Sequence, residues 1–172
     1  MQETACINNC TTAPGLAIGS GDTAKVKIAN TTFFKVNGRS MYKTTAEVSL
    51  AGAVRNKPTL NGAAVTAGDL AFDDGTVAVT TNSCRMYTII AESAETEAGT
   101  VTLSAIAGED FPKHRQVQSS DVARATKSNQ VEIGYVYIKN ESTAAFVPGT
   151  TALTGVSGLT VTYKDNYAQN GL

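Results

Sequence analysis

The segment from Val131 to Lys139 constrains the fold of this chain most, because it has the pattern of a strand in the interior of a sheet. It reads Val-Glu-Ile-Gly-Tyr-Val-Tyr-Ile-Lys, and β-branched and aromatic residues of this kind favour strands. Because side chains along a strand alternate between its two faces, Ile133, Tyr135 and Tyr137 are predicted to share one face and Val136 to lie on the other. Apolar residues on both faces indicate a central strand that is covered on each side.

Other segments also have strand patterns. Leu159 to Tyr163 alternates with period two, so Val161 is predicted to face the core while two threonines face solvent. Asn37-Gly38 lies between two strand-like segments, and both residues tolerate the positive φ of a type I′ hairpin turn. Cys84 to Glu92 and Thr100 to Ile106 are predicted to form a second hairpin around an acidic loop.

The strand patterns predict an all-β fold, because no segment longer than about ten residues has the helical period. One or two helical turns capped by Ser120 are predicted within the connection before the central strand. We expect a single β-sandwich or small β-barrel of antiparallel strands over residues 23–163. Residues 1–22 are predicted to be an extended N-terminal arm, because they contain few apolar residues, and residues 164–172 a polar C-terminal tail.

Composition limits the classes of partner. The net charge of -1 gives no bulk attraction to nucleic acid or to anionic membranes, so neither is expected as a partner. No apolar segment approaches the ~20 residues that a membrane helix needs.

The N-terminus has no basic, apolar pattern of a secretory signal, which predicts synthesis in a cytoplasm. Three cysteines, an odd number, argue against a disulfide framework.

No catalytic, cofactor or metal site is predicted, and the chain is not expected to be an enzyme. The one histidine, His114, follows a proline in a polar loop, and no nucleophile motif accompanies it. Gly19 to Ala24 has the glycine spacing of a dinucleotide loop, but a polar segment precedes it and a strand pattern follows. Cys6 and Cys10 have a spacing that zinc tolerates, but the other potential ligands are scattered singly, so a zinc site is a weak alternative.

The connection before the central strand is locally basic. Its cationic residues are Lys113, Arg115, Arg124 and Lys127. A solvated loop and a surface complementary to an acidic protein are both compatible with this pattern. Interleaved aromatic residues, which single-stranded nucleic acid binding requires, are missing.

Four segments together resemble a family of known proteins. They are Cys84–Ala91, Gly99–Leu103, Ile133–Lys139 and Ala145–Leu153. In this order and spacing they resemble small virion structural proteins of tailed phages, of the head decoration (cement) or head-fibre type. The hairpin over residues 33–42 resembles the N-terminal part of these proteins, and the likeness extends roughly from Ala24 to Tyr163.

The resemblance implies a non-enzymatic capsid component that forms a homotrimer on the outer surface of the head and binds the major capsid protein. The expected location is therefore the virion, after synthesis in the host cytoplasm. The arm and the adjoining hairpin are expected to supply the contact with the capsid. The residues proposed for this contact are Ile7, Pro14, Leu16, Ile18, Lys25 and Lys27. The alternative is a receptor- or glycan-binding β-sandwich displayed on a tail or head fibre.

Overall fold

The computed structural model describes residues 8–55, 59–60, 63–64, 78–94, 100–125 and 127–167. Ile7, Cys6 and the acidic residues 95–99 therefore lie outside the described part of the chain, as do residues 168–172 of the predicted tail.

The regular structure of the described chain is nearly all β-strand, which confirms the predicted fold class. The strands are β1 (Asn9–Cys10), β2 (Leu16–Ile18), β3 (Lys25–Ile28), β4 (Thr32–Val36), β5 (Arg39–Lys43), β6 (Ala46–Ser49), β7 (Val54–Arg55), β8 (Thr59–Leu60), β9 (Ala63–Ala64), β10 (Ser83–Ser93), β11 (Val101–Ala107), β12 (Phe111–Pro112), β13 (Gln130–Asn140) and β14 (Leu159–Asp165). Two short 3-10 turns, Leu50–Gly52 and Ser119–Asp121, complete these elements. The predicted helical turns over residues 120–127 are thus reduced to one 3-10 turn, capped by Gln118 and not by Ser120.

The strands form a sandwich-like domain. The largest sheet has six strands, in the order β14-β13-β10-β11-β7, with β12 paired to β10. Two three-stranded sheets, β1-β4-β5 and β2-β3-β6, contribute apolar residues to the same core, and β8 and β9 form a separate hairpin. The Asn37-Gly38 turn has φ values of 49° and 76°, so the predicted hairpin between β4 and β5 is confirmed.

The predicted central strand β13 and its neighbour β10 both lie inside the large sheet. The strand β13 pairs with β10 on one side and with β14 on the other, and all of these pairs are antiparallel. The predicted hairpin of β10 and β11 is also present, from Tyr87 opposite Ala107 to Ser93 opposite Val101. The connection that follows β11 covers β10 from outside, where the Thr88 hydroxyl donates to the Ala123 carbonyl at 2.6 Å.

A β-bulge in β13 changes the predicted orientation of its side chains. Ile89 pairs with Gly134 and Ile90 pairs with Glu132, so Ile133 is an extra residue. Two consecutive residues therefore point to the core at this position, and the alternation changes phase. Ile133 and Val136 are both in the core, although period two places them on opposite faces.

Tyr135 and Tyr137 correspondingly lie on the face opposite to the core. Both are half-buried, and neither belongs to the apolar core that contains Ile133. The prediction that these tyrosines share the face of Ile133 is therefore wrong. Val161 on β14 packs against the core from a partly buried position, in agreement with the alternating pattern of that strand.

The predicted N-terminal arm is largely part of the sandwich. Asn9 pairs with Lys35 of β4, and the whole of β2 pairs with β3. The carboxylate of Asp165 accepts hydrogen bonds from the backbone N–H groups of Gly15 and Leu16, at 3.0 and 2.8 Å, which attaches this segment to β14. Backbone pairing thus orders a segment whose own composition gives little reason to fold. Lys164 and Asp165, assigned to the polar tail by composition, are the last residues of β14.

Candidate interaction surface

The hairpin of β4 and β5 presents an aromatic pair to solvent. Phe33 and Tyr42 lie directly opposite each other in the two strands and are 49% and 59% exposed. Their ring centroids are 6.0 Å apart and the planes are inclined by 39°. Lys35 and Ser40, the next pair towards the turn on the same face, are also exposed. We call Phe33, Tyr42, Lys35 and Ser40 the hairpin surface.

The opposite face of the hairpin anchors it to the domain. Phe34, Val36 and Met41 are buried in the core. At the turn, the backbone N–H of Asn37 donates to the side-chain oxygen of Asn8 at 2.9 Å. The hairpin surface is therefore supported from below by packed side chains, and its aromatic pair is held in place before any partner binds.

The residues that follow β1 and the strand β11 hold the hairpin next to its two aromatic residues. The N–H of Phe33 donates to the Thr12 hydroxyl at 2.8 Å, and its carbonyl accepts from the N–H of Thr11 at 2.8 Å. One residue beyond Tyr42, the Lys43 ammonium donates to the Val101 carbonyl at 2.8 Å. Neither Lys35 nor Arg39 has an ion pair with another residue in the described part of the chain.

The basic connection, in contrast, has its charges compensated within the domain. Arg115 makes two hydrogen bonds to the Asp121 carboxylate, at 2.9 and 2.7 Å, and its guanidinium lies 4.7 Å from the centre of the Phe111 ring. Burial alone would raise the pKa of Asp121, but the Arg115 guanidinium and the N–H of Gln118 outweigh burial and lower it. This carboxylate therefore remains charged and paired at neutral pH.

The remaining cations of this connection are also paired. Arg124 contacts Glu132 at 2.9 Å, and Lys127 contacts Glu92 at 2.9 Å. Hydrogen bonds from Gln130 and from Lys127 lower the pKa of the Glu92 carboxyl. Lys113, at the other end, contacts Glu141. These contacts attach the connection to β10 and β13 and neutralise the basic character that its sequence suggests.

The capsid-contact residues predicted in the arm lie mainly within the fold. Pro14 and Leu16 are buried, and Ile18 packs against the core. Leu16 lies so close to Gly134 that a Cβ at that glycine would overlap its Cδ1 atom. In this conformation, these apolar residues stabilise the domain and do not form an exposed contact surface.

The two lysines predicted for the same contact have local partners. Lys25 contacts Asp22 at 3.4 Å, and Lys27 donates to the Ser20 hydroxyl at 2.6 Å. Both are half-buried on β3, so their charges remain near the surface. Their position differs from that of the hairpin surface, which lies on another sheet.

The tyrosines of the central strand have polar partners on the outer face of the sheet. The Tyr135 hydroxyl donates to Glu132 at 2.9 Å and accepts from Arg124 at 2.8 Å. The Tyr137 hydroxyl donates to the sulfur of the buried Cys84 at 3.0 Å. Burial and this hydrogen bond raise the pKa of Tyr137 above its ordinary value. These partners explain how two large polar side chains are accommodated beneath the connection.

Of the residues considered for catalysis or metal binding, His114, Cys10 and Cys84 lie in the described chain, and Cys6 does not. His114 is exposed in the loop after β12. Cys10 is buried on β1, where burial raises the pKa of its thiol to about 11, and Cys84 is buried on β10. Within the described ranges, no group of three or more histidine, cysteine or acidic side chains is arranged to hold a metal ion.

A polar cleft lies between β1, β13 and the end of β14. Its volume is about 410 Å³, and Asn9, Gln130, Asn166 and Tyr167 are among its lining residues. The side-chain oxygen of Asn9 is buried and has no hydrogen-bond partner within the described part of the chain. Amide side chains and an aromatic residue therefore line the cleft, while the Asn9 oxygen itself is covered by protein atoms.

The hairpin surface could have been derived from the sequence. With a two-residue turn at Asn37-Gly38, Val36 pairs with Arg39. Counting back along both strands from that pair places Phe33 opposite Tyr42. Since Phe34 and Val36 form the apolar side of the alternation, Phe33 and Tyr42 must share the exposed side. The tertiary structure adds that no described element covers this face.

Comparison with known proteins gives no match among family models, curated proteins or solved structures. In the described part of the chain, no helix has the length and apolar character to cross a membrane.

Proposed function

We propose that this protein is a bacteriophage capsid decoration (cement) protein that binds the outer surface of the head without catalysis, and that the hairpin surface contacts the major capsid protein. The observation that carries this proposal is the exposed Phe33–Tyr42 pair on an anchored hairpin. The sequence resemblance described above supplies the class of partner.

Exposed aromatic side chains on a supported strand pair are suited to protein recognition. Aromatic residues bury much apolar area when a partner covers them, and they often dominate the energetics of an interface. Phe33 and Tyr42 are already ordered by cross-strand pairing, so little conformational entropy is lost when they become buried. Lys35 adds a cationic group beside the aromatic pair, which favours an acidic rim on the capsid protein.

A small surface is sufficient for a cement protein, because many copies act together. One hairpin surface gives a modest affinity, but simultaneous attachment at several capsid sites raises the effective concentration of each contact. The proposal keeps the hairpin as the principal contact and removes Pro14 and Leu16 of the arm from it, since both are buried in the domain. Ile7 keeps its role as a predicted contact, because it lies outside the described residues.

The proposal can be tested by co-sedimentation with empty heads of the virus that encodes the chain. The double variant Phe33→Ser, Tyr42→Ser removes both rings from solvent-exposed positions and should lower the free energy of unfolding by only about 1 kcal/mol. We expect this variant to lose most of its binding to heads. A matched control is Val117→Ser, Val147→Ser, which removes two apolar side chains that are also exposed, at 45% and 40%.

The control variant should bind heads as the parent does. Thermal unfolding of all three proteins, followed by far-UV circular dichroism, verifies that the domain remains folded. Unchanged sedimentation of a folded Phe33→Ser, Tyr42→Ser protein would exclude the hairpin surface as the contact. Failure of even the parent protein to sediment with heads would refute the cement function itself.

The polar cleft favours a second candidate function, a glycan- or receptor-binding module of a fibre. Amide side chains and an aromatic ring are the groups with which proteins commonly bind sugar hydroxyls and sugar faces, and both line this cleft. Titration with a panel of bacterial surface glycans tests this alternative. Saturable binding that Asn166→Ala weakens, and that Phe33→Ser leaves unchanged, would favour it over the cement function.

A further inference from the structure

The strand β14 forms an open edge of the largest sheet. It pairs with β13 on one side, and no other described strand pairs with it on the other. Over seven residues its only charges are Lys164 and Asp165, at one end, and it contains no proline. Proteins usually protect edges of this length with charges, prolines, bulges or a covering segment, because an open edge is a template for another strand.

The hydrogen bonds of β14 show which backbone groups face the open side. The N–H of Glu141 donates to the Gly158 carbonyl at 2.7 Å, and the N–H of Asn166 donates to the Ile133 carbonyl at 2.9 Å. Hydrogen-bonded and non-hydrogen-bonded pairs alternate along an antiparallel ladder. Thr160 and Thr162 therefore bond to β13, whereas Val161 directs its N–H and C=O groups away from the sheet.

The side chains of β14 alternate between the two faces of the sheet. Leu159, Val161 and Tyr163 face the core but are only partly buried, so the core is incompletely covered at this edge. Thr160 and Thr162 are exposed on the outer face. The edge thus combines outward-facing backbone groups at Val161 and Tyr163, a row of partly exposed apolar side chains, and an outer face whose only charge within the strand is Lys164 at its end. The N–H of Leu159 donates to the Val156 carbonyl at 3.1 Å.

We propose that a second copy of this chain pairs with β14 in antiparallel orientation, around a two-fold axis at Val161. In this register Val161 meets Val161 of the second copy, and Leu159 meets Tyr163 of the second copy. Thr160 meets Thr162 of the second copy on the outer face. Apolar residues therefore pair with apolar residues and threonines with threonines, which is the self-complementarity that a two-fold interface requires.

The charges at the end of β14 are compatible with this register. Lys164 falls opposite Gly158 of the second copy, and Asp165 falls opposite Ser157. No like charges meet across the interface. The two-fold axis is perpendicular to the sheet, so the two rows of Leu159, Val161 and Tyr163 lie on the same face and extend one core into the other.

This contact goes beyond the capsid function and is independent of it, because it uses β14 and not the hairpin surface. A two-fold contact between edge strands closes at two subunits. The resemblance to decoration proteins implies three subunits instead. The mass of the free protein in solution therefore distinguishes these two modes of assembly.

The experiment is sedimentation velocity over a range of concentrations, with charge variants at the two exposed threonines. Thr160→Lys, Thr162→Lys places like charges opposite each other twice in the proposed interface, and Thr160→Glu, Thr162→Glu does the same with the opposite sign. We expect the parent to form dimers and each variant to dissociate about tenfold more readily. Because both positions are exposed on the outer face, the monomers should unfold at nearly the temperature of the parent.

Mixing the two variants is the decisive step. Each lysine of one variant then lies opposite a glutamate of the other, so the mixture should form a heterodimer at concentrations at which each variant alone is monomeric. A monomeric or trimeric parent would overturn the proposal. A parental dimer whose dissociation is unchanged by both variants would overturn it too, as would a mixture that remains monomeric.

Discussion

Gly134 provides a quantitative test of how the two layers of the domain meet. It lies beside the bulge in β13 and faces the N-terminal strand β2. A Cβ atom at this position would overlap Cδ1 of Leu16 and would lie 2.7 Å from the Lys164 carbonyl oxygen. The first neighbour is a side chain that can move, but the second is backbone within the ladder between β13 and β14. Gly134→Ala should therefore force a shift in packed structure.

The expected cost follows from two opposing contributions. Inserting atoms into a well-packed core costs about 1–3 kcal/mol. Replacing glycine by alanine also reduces the conformational entropy of the unfolded chain, which stabilises the fold by about 0.4–1 kcal/mol. The net loss should be about 1–2 kcal/mol. For a domain of this size that corresponds to a decrease in melting temperature of about 2–8 °C.

The assay is urea unfolding followed by far-UV circular dichroism, because the chain has no tryptophan. Gly134→Ala is compared in the parent and in a Leu16→Ala background, where the first neighbour is removed. Its cost should fall in that background but should not vanish, because the Lys164 carbonyl remains. Gly155→Ala is the control: its Cβ meets nothing within 4 Å, but its φ of 73° strains any side chain. Its cost should be equal in both backgrounds.

The interpretation fails if Gly134→Ala changes the free energy of unfolding by less than about 0.5 kcal/mol. It also fails if the cost is the same with and without Leu16, since the close approach of β2 to β13 would then have no energetic consequence.

Three further predictions concern the core, a thiol and an ion pair. Val136→Asp should abolish cooperative thermal unfolding, because it buries an unpaired carboxylate, whereas Tyr135→Asp on the opposite face should still unfold cooperatively. Cys10, buried and with its pKa raised to about 11, should resist a thiol-specific disulfide reagent at pH 7 until the protein is denatured, as peptide mass mapping will show. Asp121→Asn should lower stability at pH 7 by about 1–2 kcal/mol. Burial alone would raise the folded pKa of Asp121, but hydrogen bonds from Arg115 and from the N–H of Gln118 outweigh burial and lower this pKa below its ordinary value. Its contribution is therefore fully present above the ordinary carboxyl pKa and is lost as the pH falls through the folded value, so urea unfolding of parent and variant should converge in acid.

Each of these predictions has a clear contrary result. A stable Val136→Asp protein together with an unfolded Tyr135→Asp protein would show that side chains alternate along β13 without interruption, and would exclude the bulge. Rapid labelling of Cys10 in the native protein would show that β1 opens readily. A stability difference for Asp121→Asn that is the same at pH 7 and in acid would mean that the charge of Asp121 does not contribute.

Local patterns in the sequence determined the class of the fold and several of its parts. The Asn37-Gly38 turn, the pairing of β10 with β11 and the alternation of β14 were all predictable, because each depends on neighbouring residues, on backbone preference and on the two-residue period of a strand. The exposed pair of Phe33 and Tyr42 follows from the same turn and register.

Only the tertiary structure decided the features that depend on distant contacts. The bulge at Ile133 depends on the pairing of β13 with β10, and it reverses the faces of Tyr135 and Tyr137. The N-terminal segment gains its order from β3, β4 and Asp165, which are separated from it in sequence. Lys127 of the basic connection loses its apparent charge to Glu92, which is 35 residues away in the sequence. In each case the free energy comes from partners that chain folding brings together, and no local pattern in the sequence records them.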